Sequence, residues 1–160
     1  MPGQNQERCQ AFRTCLNQCK FYDVKSIKTK VRTSLRNLYN SIRKYSKLEL
    51  KCSNNQSKAA IKRLIDAQKL LESGNNGIAV FTTDKVKICD TVYCTKTSFT
   101  NNINSLKSSN DKLYKLLLAA QYGVAKACGT TSNSGRGHAS SLYSAANGSI
   151  NKIPSKACTN

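Results

Sequence analysis

The 160-residue sequence contains no tryptophan, a single histidine and eight acidic residues, and it has no long apolar run. Without tryptophan, no indole ring can anchor a binding site. A membrane-spanning helix needs about 20 mostly apolar residues, so the sequence predicts no transmembrane segment. Residues 1–6 are polar and lack the apolar segment of a signal peptide. We therefore expect Met1 to be an expression start that replaces a removed leader.

The scarcity of histidine and carboxylates argues against catalysis. The single histidine, His138, lies in a Ser- and Gly-rich segment that predicts a loop. A histidine acts as a catalytic base when a second side chain orients it, and a lone histidine in a loop is more typical of a solvent-exposed residue. The acidic residues form no tight cluster of the kind that glycosidases or calcium sites use. We therefore expect a protein that binds a partner, with no enzymatic activity, no cofactor and no metal.

Eight cysteines are many for this length, and their number is even. A structural zinc site favours close cysteine pairs and often histidines, which this sequence does not supply. Disulfides are the better interpretation, and they indicate an oxidising compartment and a secreted protein. Sequence alone does not fix the pairing. The residues expected in disulfides are Cys9, Cys15, Cys19, Cys52, Cys89, Cys94, Cys128 and Cys158.

The formal net charge is +18, from 26 basic and 8 acidic residues, and half of the excess lies in residues 1–52. So large an excess of one sign keeps a protein soluble and attracts polyanions. The partner could be a nucleic acid, an acidic glycan, an anionic membrane or an acidic protein surface. Charge alone does not choose among them.

Residues 25–51 carry the strongest helical pattern in the chain. Apolar side chains recur every three or four residues, at Ile27, Val31, Leu35, Leu38, Ile42 and Tyr45. A second set of residues lies nearly opposite and forms what we call the basic face, which consists of Lys25, Arg32, Arg36, Arg43 and Lys47. We predict that the basic face contacts the partner. Such a helix is about 40 Å long, so the cysteines at its two ends, Cys19 and Cys52, cannot bond to each other.

Five further helices are expected, over residues 6–22, 57–73, 84–94, 100–127 and 139–147. Gly74 and Gly148 are expected to end two of them, because glycine is favoured just past a helix C-terminus. Residues 78–81 are interpreted as a loop or helix lead-in. The helix over 100–127 carries a heptad seam that is interrupted by Asn110. Either the apolar face drifts away there, or Asn110 makes a buried polar contact that fixes the packing register.

An internal repeat relates the two halves of the chain at an offset of about 75 residues. Cys19 falls on Cys94, Cys52 falls near Cys128, and Leu38 falls on Leu113. We interpret this as a duplication of a unit with a short, a long and a short helix. The predicted fold is all-α: a disulfide-stapled bundle whose two units, residues 1–76 and 77–160, pack together as one globule.

Each half contains a cysteine–tyrosine–cysteine block. The blocks are Cys19…Tyr39…Tyr45…Cys52 and Cys94…Tyr114…Tyr122…Cys128. This arrangement resembles the bicycle proteins, secreted salivary effectors of aphids and related gall-forming insects that are named for a duplicated motif of this kind. The resemblance covers about two thirds of the chain. It implies delivery into a host plant, binding of a host macromolecule, and no catalytic residues.

A second hypothesis is a basic toxin, antimicrobial or anticoagulant salivary protein that binds polyanions or membranes. The helix over 25–51, with one apolar and one cationic side, suits a membrane surface if its apolar side is free. If the core uses that side, lysis is not expected.

Two sequons for N-glycosylation lie at predicted helix edges and favour secretion, at Asn55-Gln56-Ser57 and Asn147-Gly148-Ser149.

Overall fold

Four long helices and four short strands make up the part of the chain that the structure describes. The structure is a computed structural model that describes residues 19–89, 95–130 and 135–158. The helices are α1 (Lys25–Cys52), α2 (Lys58–Ala79), α3 (Thr100–Cys128) and α4 (Arg136–Ile150). The strands are β1 (Cys19–Asp23), β2 (Lys85–Cys89), β3 (Lys96–Ser98) and β4 (Lys156–Cys158).

Helix α1 confirms the helix predicted over residues 25–51. Its apolar stripe lies in the centre of the core, where Val31, Leu35, Leu38 and Ile42 have no exposed surface. At its start, Asp23 accepts a hydrogen bond through Oδ1 from the backbone N–H of Lys25, at 3.0 Å. A long stripe of this kind, buried against three other helices, is what makes so basic a helix stable.

Two asparagines turn the chain between α1 and α2. Asn54 and Asn55 have positive φ angles of 53° and 63°, a region that asparagine tolerates better than most residues. Ser57 then caps α2 by accepting a hydrogen bond from the backbone N–H of Ala60, at 3.1 Å. A serine in this position satisfies one of the free N–H groups at a helix start.

Helix α3 confirms the predicted heptad seam. Its seam residues Ile103, Leu106, Leu113 and Leu117 are buried. Asn110 is fully buried among them, and its Nδ2 donates to the backbone oxygen of Tyr143 in α4, at 3.2 Å. Of the two interpretations left open by the sequence, the structure therefore supports the buried polar contact, which joins α3 to α4.

The structure contains a four-stranded antiparallel sheet, and two of its strands lie in segments that were predicted to be helical. Its strand order is β1-β2-β4-β3. The helix predicted over 84–94 is wrong over Lys85–Cys89, which is strand β2, and the end of the helix predicted over 6–22 is strand β1. Asp84, the first residue of the helix predicted over 84–94, also lies outside any helix, and residues 6–18 and 90–94 lie outside the described residues. The fold is thus mostly helical but not all-α.

Both glycines that were expected to end helices lie inside them. Helix α2 continues past Gly74 to Ala79, and α4 continues past Gly148 to Ile150. Gly74 is buried, and a Cβ at its position would lie 2.7 Å from Cδ1 of Leu35 in α1. This glycine therefore allows close packing of two helices, whereas the stop signal at a C-terminus needs a left-handed backbone.

The sheet and a disulfide hold opposite ends of the helical bundle. Strands β1 and β3 lead directly into α1 and α3, and β2 and β4 follow α2 and α4, so all four helices have one end at the sheet. At the far end, a disulfide joins Cys52 and Cys128, the last residues of α1 and α3. Helices α1 and α3 therefore run side by side in the same direction.

The order strand–helix–helix–strand occurs twice along the described chain. The first set is β1-α1-α2-β2 and the second is β3-α3-α4-β4. In the sheet, the first strand of each set lies at an edge, and the last strands of the two sets, β2 and β4, pair at the centre. Each set has two helices among the described residues, and residues 6–18 and 90–94 of the additional short helix predicted for each unit lie outside them. The predicted boundary between residues 76 and 77 falls within α2.

Candidate functional site

The basic face of α1 is exposed along its whole length. All five of its predicted residues, Lys25, Arg32, Arg36, Arg43 and Lys47, are solvent-exposed. Their spacing places them within about 60° of one another around the helix axis and along about 33 Å of its length. Because α1 packs against all three other helices through its opposite side, the basic face is held on a rigid support.

No carboxylate neutralises the basic face within the described ranges. None of its five residues forms an ion pair there. The only acidic residue of α1, Glu49, is 3% exposed and is bound to Arg63 of α2. Every charged side chain on the exposed surface of α1 is therefore basic, and three more cations extend the positive charge beyond the basic face: Lys30, Lys44 and Lys51.

The apolar side of α1 is not free to contact a membrane. Its four central side chains have no exposed surface, and the two outer ones, Ile27 and Tyr45, pack against the same core. Leu48 is the one large apolar side chain of α1 that is exposed, at 40%. An amphipathic helix binds a bilayer through a continuous apolar face, and α1 has already buried its own.

A buried polar cluster lies near the end of the bundle that carries the Cys52–Cys128 disulfide. Nη2 of Arg63 donates to both carboxylate oxygens of Glu49, at 2.9 Å each, and Nη1 donates to Oγ of Ser46 at 3.3 Å. Oγ of Ser57 donates to the same carboxylate at 2.6 Å. Gly123 of α3 lies against the cluster, because a Cβ there would overlap Oε1 of Glu49.

This cluster is structural rather than catalytic. The carboxylate of Glu49 is held by a guanidinium, and the hydroxyl of Ser57 both donates to it and caps α2. Neither group is left free to act as a base or a nucleophile. The sequence did not predict this pair, although Glu49 continues the three- and four-residue spacing of the apolar stripe and Gly123 is a glycine inside a helix.

His138 lies in a helix, whereas the sequence predicted a loop at this position. It is exposed in the first turn of α4, so the loop expected around it is wrong at this residue, because α4 begins at Arg136.

On the same helix, the hydroxyl of Tyr143 donates to Oδ1 of Asp111 at 2.7 Å. That hydrogen bond to a carboxylate raises the pKa of Tyr143, and desolvation adds to the effect.

Two disulfides are present among the described residues. One joins Cys19 to Cys89 across β1 and β2, and the other joins Cys52 to Cys128. Cys158 is also disulfide-bonded. The structure thus agrees with the expectation that Cys19 and Cys52 do not bond to each other. The remaining predicted residues, Cys9, Cys15 and Cys94, lie outside the described ranges.

Within residues 19–89, 95–130 and 135–158, none of the helices combines the length and the apolar character that a membrane span needs. No group of three or more histidine, cysteine or acidic side chains there could hold a metal ion.

Comparison with known proteins adds no functional assignment. No protein-family model, curated protein or solved structure matches the chain.

Proposed function

We propose that this chain is a secreted, non-enzymatic protein that binds an anionic host macromolecule on the basic face of α1. The observation that carries the proposal is the line of five exposed cations, unpaired within the described ranges, on a helix whose apolar side is buried. The natural ligand of such a surface is a polymer that bears sulfate, phosphate or carboxylate groups at regular intervals.

The residue types on the basic face favour this class of ligand. Three of the five cations are arginines, whose planar guanidinium binds the oxygens of sulfate, phosphate or carboxylate in pairs. One exposed ion pair contributes at most about 1 kcal/mol. An extended polyanion can contact several sites along about 33 Å of helix and release counterions at each, so the contacts add up to useful affinity.

Two further features support delivery outside the cell that makes the protein. Disulfides such as Cys19–Cys89 and Cys52–Cys128 persist in oxidising compartments. The repeated strand–helix–helix–strand order is what a duplicated ancestor would leave, and it supports the proposed kinship with the bicycle proteins. On that proposal the protein is an effector that an insect places in plant tissue, and its ligand is a host molecule.

Charge reversal on the basic face is expected to abolish binding to a polyanion. In the triple variant Arg32→Glu, Arg36→Glu and Arg43→Glu, affinity for heparin or duplex DNA should fall at least about a hundredfold at low salt, because three counterion-releasing contacts are lost. For duplex DNA, the slope of log affinity against log salt should be about −4.5 for the natural chain, with one contact per cation of the basic face, and flatter by about 2.7 for the variant. Titrations at several salt concentrations measure both quantities.

A matched control changes the net charge by the same amount elsewhere. Lys69, Lys112 and Lys115 are exposed on α2 and α3, so reversing all three to glutamate should leave most of the affinity and slope intact. Circular dichroism should show unchanged helicity in both variants. Equal losses in the two variants would mean that only overall charge matters, and the basic face would then not be the site.

The buried apolar side of α1 leads to a second expected result, on membranes. Vesicles that contain anionic lipids should retain their contents at physiological salt when the protein is added, since α1 has no continuous apolar face to insert. Release of an encapsulated dye measures this. Leakage at low protein concentration would contradict the proposal and favour a membrane-active toxin.

A further inference from the structure

Two sequons for N-glycosylation remain outside the proposed binding surface, and the structure places them in different environments. Asn55-Gln56-Ser57 lies between α1 and α2, and Asn147-Gly148-Ser149 lies inside α4. The sequence alone treats the two sites as equivalent, because both match the same acceptor pattern. The backbone around each asparagine distinguishes them.

Asn55 meets the geometric requirements of an acceptor. It is exposed in a turn with a φ angle of 63°, and its backbone N–H donates to the oxygen of Leu50 at 2.7 Å. Its side-chain amide makes no hydrogen bond within the described part of the chain. Two residues on, Ser57 has an extended backbone with φ −75° and ψ 99°. Residues 53–57 thus lie between the two helices, where the N–H of Gln56 donates to the backbone oxygen of Ser53 at 3.1 Å and the hydroxyl of Ser57 donates to Glu49 at 2.6 Å in the folded chain.

Asn147 does not meet them. It is half-buried in α4, and its backbone oxygen accepts a hydrogen bond from the N–H of Asn151 at 3.0 Å. Residues two apart on a helix point about 200° away from each other, so the hydroxyl of Ser149 is turned away from the amide of Asn147. The neighbouring Ala146 and Ile150 are fully buried, and unwinding this turn would withdraw them from the core.

We infer that Asn55 carries an N-linked glycan in the secreted protein and that Asn147 does not. In the reaction, Nδ2 of Asn55 forms a bond to the anomeric carbon of an oligosaccharide held on a lipid diphosphate. The bond from that carbon to the diphosphate oxygen breaks, the lipid diphosphate leaves, and the amide nitrogen loses one proton. The inference rests on the secretion that forms part of the proposed function.

The position of Asn55 makes a glycan compatible with binding on the basic face. The turn follows Cys52 at the end of the bundle away from the sheet. Arg36 lies about 24 Å along α1 from Cys52, and Arg32 lies farther still. A glycan on Asn55 therefore covers the disulfide end of the molecule and leaves most of the basic face open.

The test is expression of the full chain behind a secretion leader in insect cells, followed by enzymatic removal of N-glycans in heavy-oxygen water. Peptide mass spectrometry then identifies each asparagine that carried a glycan by its heavy-oxygen label. We expect the label on Asn55 and none on Asn147. In Asn55→Gly, which suits the positive φ angle, the intact mass should no longer shift on glycan removal, whereas Asn147→Gln should behave like the natural chain.

Ser57→Ala is a poor test, because this change removes both the sequon and the cap of α2. Ser57→Thr keeps both functions and should retain the glycan. A label on Asn147, or no label on a secreted chain in which Cys19–Cys89 and Cys52–Cys128 have formed, would overturn the inference. The second result would leave the proposed function intact, whereas a chain that is retained in the cell with reduced cysteines would count against secretion itself.

Discussion

Replacing Arg63 with methionine is expected to lower the free energy of unfolding by about 3–5 kcal/mol, because the buried carboxylate of Glu49 loses the guanidinium that pairs with it. Glu49 is 3% exposed, so water cannot replace the guanidinium without opening the helix contacts. Ser57 would still donate to the carboxylate, but one hydroxyl does not offset a buried charge. Urea denaturation followed by circular dichroism measures the change.

The neighbouring residue supplies a matched control. Lys62 binds Asp66 at 2.7 Å, but its side chain is 75% exposed. Lys62→Met should therefore change stability by less than about 1 kcal/mol. The double variant Arg63→Met with Glu49→Leu should recover most of the loss, because removing both partners leaves no unpaired charge. A loss below about 1 kcal/mol in Arg63→Met alone would show that the pair is not buried in solution.

The second large effect is expected from the Cys52–Cys128 disulfide. This bond joins residues 76 positions apart, and the chain-entropy model gives about 4.5 kcal/mol for a loop of that size. The double variant Cys52→Ala and Cys128→Ala should therefore melt roughly 9–18 °C lower than the natural chain. Differential scanning calorimetry measures the shift, and a peptide map without reduction first verifies the pairing in the natural protein.

The other disulfide within the described residues tests whether loop length is the cause. Cys19 and Cys89 are 70 positions apart, so Cys19→Ala with Cys89→Ala should cost about the same if loop length governs the effect. If the Cys52→Ala and Cys128→Ala double variant were as stable as the natural chain, the stabilising role assigned to that disulfide would be contradicted. A peptide map in which Cys52 is joined to a different cysteine would contradict the fold at that end of the bundle.

The long helices were predictable because their signal is local. Apolar residues at three- and four-residue spacing define the buried sides of α1 and α3, and both helices end within one residue of the predicted position. The same periodicity placed the basic face on the exposed side of α1, where the structure has it. A side chain on a regular helix has its direction fixed by its position in the sequence alone.

The sheet was not predictable because its signal is not local. Strands β3 and β4 have three residues each, which is too short to show alternation. Lys85 is exposed and Val86 is buried in β2, but β2 pairs with β1, a strand that lies before two intervening helices. Only the tertiary structure brings such segments together, and strand preference depends on that context.

The buried ion pair was missed for a related reason. Glu49 and Arg63 lie 14 positions apart on different helices, and charged residues are almost never fully buried unless they are paired. Each residue alone is more typical of a solvent-exposed helix surface. The sequence held two weak hints: Glu49 continues the spacing of the apolar stripe, and the missing side chain of Gly123 leaves room for the carboxylate. A glycine inside a helix can equally allow two helices to pack closely, as Gly74 does, so that hint does not point to a buried charge.

The pairing of Cys52 with Cys128 sets the order of events during synthesis. If the protein is secreted as proposed, Cys52 enters the oxidising compartment 76 residues ahead of Cys128, its partner in the structure. Helices α1 and α2 can form and pack as they emerge, but their far end stays unlocked until α3 has followed. In that interval a reactive Cys52 could bond to another cysteine, and thiol–disulfide exchange would then be needed to reach the pairing with Cys128.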